Sequence, residues 1–465
     1  MNLRKLFLII FFAINIPLAI ISFTEYQGQP FYYILFTIVS FFFVVYLTNN
    51  HSTFLDNFIS VFFFMGYWFN FSLKLSLYKS NYKDYSDGIG SFNFESKSYD
   101  EVLLVCIISF ISVMIASFIR RIFIFKNYFY NFDIIIKKNN KEIKYSIIFF
   151  ITIILFSFFN LDFGFYQRGM NYLGETNLVF LNLIKWLLIM GIMAFFSHMI
   201  FYFLQENHFP NYLIITTIIS KFLLSLSILS RAMIFDVSSI LWALFKFERN
   251  KARLLYLFSF SIFALILFFL SIPYVDKTRV MFFSKEFNNN AAFKNNNIED
   301  AQNKLLKFYE VRLVSRLHGL EALMAVVGVE NKNKKLLLDA LKEKPSDATF
   351  FDKLKSDYRG QSNNSKISSL TLPGIIAFLY YSGSFSILFF SLFTIIIFFS
   401  VFEKAVYKIT NGNFILASFF SQIIAFRLWH FGYVPINSYK LISGIMIFIL
   451  IIFLFNKTSD FFKNL

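Results

Sequence analysis

Val102 to Ile119 reads VLLVCIISFISVMIASFI, 18 residues without a charge, and Arg120-Arg121 follow at once. At 1.5 Å per residue a helix of that length covers about 27 Å, close to the hydrocarbon thickness of a bilayer. Comparable runs recur at 6–23, 31–48, 58–78, 145–161, 178–204, 211–229, 232–247, 254–273, 374–400, 413–430 and 439–456. Composition agrees: 57% of the 465 residues are hydrophobic and only 15% charged, with a mean hydropathy of +0.59. Soluble domains stand nearer 45–50% apolar and about 25% charged, so no water-soluble fold of this length could hide such a surface. The expected fold is an all-α polytopic transmembrane helical bundle of about 12 spans. Residues 1–273 would form spans one to nine, 274–372 a long segment outside the membrane, and 373–465 spans ten to twelve.

The N-terminal Arg4-Lys5 and the run from Leu6 to Phe23 look like a signal peptide, but no small-residue cleavage site follows, so the run reads as an uncleaved first span. Lys and Arg cluster at 4–5, at 120–144, at 246–253 and at Lys457 and Lys463. With twelve spans these groups share one side, the cytoplasm, with both termini, and 274–372 lies outside. The net charge of +16 is scattered among short loops, and the abundance of Phe, Ile, Asn and Lys matches a low-GC genome, so nucleic acid is not an expected partner. The single cysteine, Cys106, rules out internal disulfides and thiolate metal clusters.

The outer segment is patterned. After an Asn-rich stretch from Asn288 to Asn297, Leu306, Leu313, Leu317, Leu320 and Met324 fall on one face of an amphipathic helix over 301–327. A second short helix is expected over 332–342, before Pro345.

No Walker loop, dinucleotide fingerprint, zinc-protease His pair or cysteine metal site occurs, and neither a metal nor another cofactor is expected. The sequence offers outer-side cations instead. Arg312 and Arg316 stack on one helix face, where like charges repel unless an anion such as pyrophosphate lies between them. The alternative is that both snorkel beside the apolar stripe and pair with carboxylates such as Glu310. Arg168, Arg231, Arg279, Arg427 and His430 sit at span ends, where charge is costly and marks either a site or an interfacial anchor. Glu321 and His318 are the candidate proton acceptors of the outer segment. Helical angles put Glu321 on the opposite flank of the stripe and His318 roughly opposite the arginines, so His318 cannot share a phosphate with Arg312 and Arg316 unless Gly319 kinks the helix. Lys74, Lys185 and Lys221 fall inside spans, and Lys221, near mid-span, needs a partner or an aqueous cavity.

The chain resembles the Wzy-type O-antigen (oligosaccharide repeat-unit) polymerases. The layout of many spans with one large outer loop in the second half carries the likeness, together with Tyr166-Gln167-Arg168-Gly169, Leu229-Ser230-Arg231-Ala232, Ser315-Arg316-Leu317 and Thr371-Leu372-Pro373-Gly374. The resemblance implies a membrane glycosyltransferase of lipopolysaccharide biosynthesis in the bacterial inner membrane. Its substrate would be an undecaprenyl-pyrophosphate-linked oligosaccharide, bound among membrane lipid, with a chain-length regulator and a flippase as partners. Glu321 or His318 would then be catalytic, and Arg168, Arg231, Arg279, Arg312, Arg316, Arg427 and His430 would bind pyrophosphate. An O-antigen ligase shares the layout, and a lipid-linked oligosaccharide flippase is the non-enzymatic alternative. Against the flippase stand the long outer segment and the lack of an internal repeat.

Overall fold

The computed structural model describes residues 3–49, 51–78, 91–123, 140–167, 178–206, 208–230, 234–248, 250–286, 319–343, 374–431 and 435–463. Helices make up most of the described residues, and no strand occurs among them. Among the described residues, eight helices are long and apolar enough to cross a membrane, and three shorter apolar ones accompany them. The chain is a multi-pass α-helical membrane protein. Long helices that turn large apolar side chains outward carry that conclusion, as with Phe158 at 67% and Leu255 at 69% exposure.

Two compact units divide the chain. The first combines 1–128, 296–402 and 424–446, and the second 129–295, 403–423 and 447–465.

In the first unit, α1 (Leu3–Thr24), α2 (Pro30–Leu47), α3 (Phe54–Tyr78) and α4 (Ser96–Phe123) come first. Phe36, Phe43, Phe63 and Tyr67 gather around Phe110, with Phe43 and Phe110 stacked at 4.4 Å. At the start of α3, Thr53 and Asp56 form a capping box. Asp56 also receives Arg120 and the Ser117 hydroxyl at 3.0 Å. Arg120, which the sequence presents as a loop-flanking charge, is thus 1% exposed. Its neighbour Arg121 lies over the Tyr46 ring and donates to the Tyr46 carbonyl and to Ser52.

Within α3, Phe64–Phe69 is π-helical, a local widening that the hydropathy pattern does not mark. The segment 274–372 contributes α10 (Leu320–Val327) and α11 (Lys334–Leu341); α5 to α9 belong to the second unit. The amphipathic helix expected over 301–327 does not continue through Gly319, whose φ of +134° is not helical. Beyond it, α10 is buried on every side and not amphipathic. Its sequence explains this: Glu321 is the one charge in LEALMAVV, and it is neutralised inside the protein.

The apolar run 374–400 is likewise two elements and not one span. Helix α12 (Gly374–Leu379) and a 3-10 turn end at Gly383, in the left-handed conformation, and α13 (Phe385–Ile409) begins afresh. Helices α13, α14 (Phe414–Trp429) and α15 (Pro435–Lys463) each give part of their length to each unit.

The second unit holds α5 (Asn140–Phe163), α6 (178–205, π-helical over Leu187–Gly191), α7 (Asn211–Ser227), α8 (Ile234–Phe247) and α9 (Lys251–Glu286). Helix α7 packs along α5. Asn160 bridges them, donating to the Ser227 carbonyl at 3.0 Å. Glu142, in the first turn of α5, meets His208 at 2.5 Å and accepts from the Leu213 amide. Helix α9 runs past the expected boundary at 273 to Glu286 with Pro273 inside it. At 36 residues, or about 54 Å, it is longer than a hydrocarbon core is thick.

Candidate functional site

Two arrangements in the first unit stand out, one polar and one apolar. The polar one lies between α3 and α10. Lys74 forms an ion pair with Glu321, each side chain 4% exposed. One turn earlier on the same face, the Asn70 amide donates to the other Glu321 oxygen at 3.0 Å. Lys74, expected inside a span, owes its place to a carboxylate 247 residues away in the chain. Glu321, a sequence candidate for the general base, is therefore held by two donors in a site shut off from solvent.

The apolar arrangement is a cavity of about 210 Å3. Ile375, Phe378 and Leu379 of α12 form one wall, with Phe399 of α13, Leu428 of α14 and Ile442 and Ile445 of α15. Leu341, at the end of α11, reaches it, and the Tyr439 hydroxyl donates to the Leu341 carbonyl at 3.4 Å. Arg427, Ser438 and Tyr439 are among the lining residues, yet the surface facing the cavity is almost wholly apolar. Arg427 Nε donates to Ser438 Oγ at 2.7 Å, which orients the guanidinium along the start of α15. Such a cavity suits an apolar chain. Its volume is that of a site for a segment of chain, below the usual range of pockets enclosing a whole ligand.

His430 is buried beside these groups, its ring 4.2 Å from Phe426 and 4.4 Å from Trp429, with Nδ1 3.2 Å from the Phe426 carbonyl. It packs as part of the α14 terminus. Next to the cavity wall, Tyr380 donates to Glu101 at 2.6 Å and carries Lys332 over its ring. Burial first, and then the Glu101 carboxylate, hold its phenol neutral well above the usual range.

No family model, curated protein or solved structure matches this chain.

Of the sequence candidates, the structure brings Arg427 to the cavity, His430 beside it, and Glu321 to Lys74. Arg279 lies on α9. Arg168, Arg231, Arg312, Arg316 and His318 lie outside the described residues. The remaining span lysines acquire partners within the second unit. Lys221 meets Asp236 at 2.5 Å, and Lys185 lies 4.9 Å from the centroid of the Tyr166 ring. Asn70, Ser438 and the cavity wall were not singled out from sequence. Asn70 lies four residues before Lys74, a spacing that would have been informative had Lys74 been expected to pair inward.

Proposed function

We propose that the chain is a Wzy-type polymerase of oligosaccharide repeat units, working on the outer face of the bacterial inner membrane with both termini in the cytoplasm. The observation that supports this most is the cavity: apolar walls suited to an isoprenoid chain, with the hydrogen-bonded pair Arg427 and Ser438 among its lining residues. In the proposed reaction an acceptor sugar hydroxyl of one lipid-linked unit attacks the anomeric carbon of the growing glycan. The new glycosidic bond forms as the bond from that carbon to the pyrophosphate oxygen breaks. The lipid pyrophosphate leaves with the electron pair, and the hydroxyl proton passes to a base. Direct displacement inverts the anomeric configuration.

Charge develops on the leaving pyrophosphate, so preorganised cations are the principal catalytic device. Arg427 is the described member of that set; Arg168, Arg231, Arg279, Arg312 and Arg316 are the further candidates from sequence. With Glu321 engaged by Lys74 and Asn70, we assign it the placement of α10 and leave proton acceptance to His318.

The test is the glycolipid pattern of a strain lacking the gene. Lipid A cores capped with a single repeat unit are expected. Unattached polymer would instead identify a ligase, and lipid-linked units held at the cytoplasmic face a flippase; either result contradicts the proposal.

A further inference from the structure

Lys74 is buried and does not line the cavity, so its charge serves either packing or placement. The contacts around it favour placement. Glu321 lies in the first turn of α10, and α10 packs directly on α12, the helix that supplies Ile375, Phe378 and Leu379 to the cavity wall. Two glycines fix the ends of this stack. At Gly319, which opens α10 with φ +134°, a Cβ would lie 3.1 Å from the Gly66 carbonyl oxygen and 3.2 Å from Tyr67 Cζ. At Gly374, which opens α12 with φ +75°, a Cβ would lie 2.8 Å from the Trp429 carbonyl oxygen and 3.1 Å from Tyr67 Oη. The Gly374 amide also donates to the Phe431 carbonyl at 2.9 Å.

Tyr67 therefore abuts the starts of both helices, and it belongs to the π-helical stretch of α3 that precedes Asn70 and Lys74. One face of α3 thus holds α10 by charge at Asn70 and Lys74 and by close approach at Gly66 and Tyr67.

We propose that Lys74 is a positioning residue for the cavity: its ion pair with Glu321 keeps α10 seated against α12 and so fixes the wall on which the lipid chain lies. This rests on the reading of the cavity as an isoprenoid-chain site. An all-apolar helix with one carboxylate has no reason to enter this position charged unless a cation meets it. Removing the cation alone strands the carboxylate, whereas removing both charges leaves an ordinary apolar contact. The ion pair is consequently a condition on docking, separable from shape.

The experiment uses the full-length protein with Cys106→Ala and Ala325→Cys, since Ala325 is fully buried in α10. A water-soluble maleimide reports whether α10 is seated, and radiolabelled undecaprenyl phosphate reports binding at the cavity. Lys74→Met should raise thiol labelling and weaken probe binding, each by at least about tenfold. Lys74→Arg and the double variant Lys74→Met/Glu321→Leu should both return towards the parent protein. Parent-like labelling and binding in Lys74→Met would overturn the proposal, and so would a double variant as defective as the single one. Failure of the parent protein to bind the probe would instead refute the isoprenoid reading, while the labelling series alone would still decide whether the ion pair seats α10.

Discussion

Replacing Asp56 by alanine should destabilise the first unit more than most single changes. The carboxylate receives Arg120, the Ser117 hydroxyl at 3.0 Å and the Thr53 amide at 3.2 Å, and Arg121 stands 3.9 Å away. Asp56 and Arg120 are each 1% exposed, so solvent cannot take over the lost partner. Breaking a buried pair by removing one member costs about 3–5 kcal/mol. Loss of the reciprocal half of the capping box adds about 1 kcal/mol. The expected destabilisation is about 4–6 kcal/mol, a large fraction of what holds most domains folded. The assay is reversible unfolding in mixed micelles of increasing SDS fraction, followed by the fluorescence of Trp68, which is buried in the same unit. Asp56→Leu combined with Arg120→Leu should recover most of the loss, because the desolvated charges vanish together. A cost below about 1 kcal/mol for Asp56→Ala, or no recovery in the double variant, would refute the account of this cluster.

Three further outcomes are expected. Lys221→Met should destabilise by about 3–5 kcal/mol while Lys221→Met/Asp236→Leu should lie near the parent, measured in the same titration. Gly319→Ala should cost about 1–3 kcal/mol from backbone strain at φ +134°, with a further penalty from the 3.1 Å approach to Gly66, and should expose α10 to limited proteolysis. In a Cys106→Ala background, thiol labelling in intact cells should reach Asn296→Cys and Asn363→Cys from outside, but Asn139→Cys and Lys251→Cys only after permeabilisation; the reverse pattern would invert the proposed topology.

The multi-pass helical class was legible because a run such as Val102 to Ile119 has the length and composition that a bilayer demands, whatever surrounds it. Eight of the described helices, against about twelve expected spans, are long and apolar enough to cross. Where one residue decides an element the pattern failed. Between 374 and 400 hydropathy is unbroken, and only the backbone of Gly383 separates α12 from α13. The π-helical stretches of α3 and α6 leave the apolar content unchanged and so leave no periodic trace.

The need of Lys221 for a partner could be read from its position, but Asp236 could not be named, because the turn between α7 and α8 decides which side chains meet. Lys74 and Glu321 are a harder case. Each has a plausible local role, as a snorkelling lysine and a loop carboxylate, and only the folded chain brings them together. Arg120 misleads for the opposite reason: it reads as a cytoplasmic flank, and Asp56 draws it inside. Arg427 was legible as a costly charge at a span end, and the structure supplies what the sequence could not, the apolar cavity beside it.

The most direct measurement is glycan chain length in a deletion strain complemented with Arg427→Ala, Arg427→Lys or the parent gene, at matched protein levels in the membrane. A charge-assisted bond to the leaving pyrophosphate contributes about 1.5–3 kcal/mol, on the order of 10–100-fold in rate. The account predicts that Arg427→Ala collapses the polymer towards single units. Arg427→Lys, which keeps the charge but loses the fork, should restore only part of the length. Full-length polymer from Arg427→Ala at parent protein level would contradict the assignment of this cavity to the pyrophosphate-linked lipid.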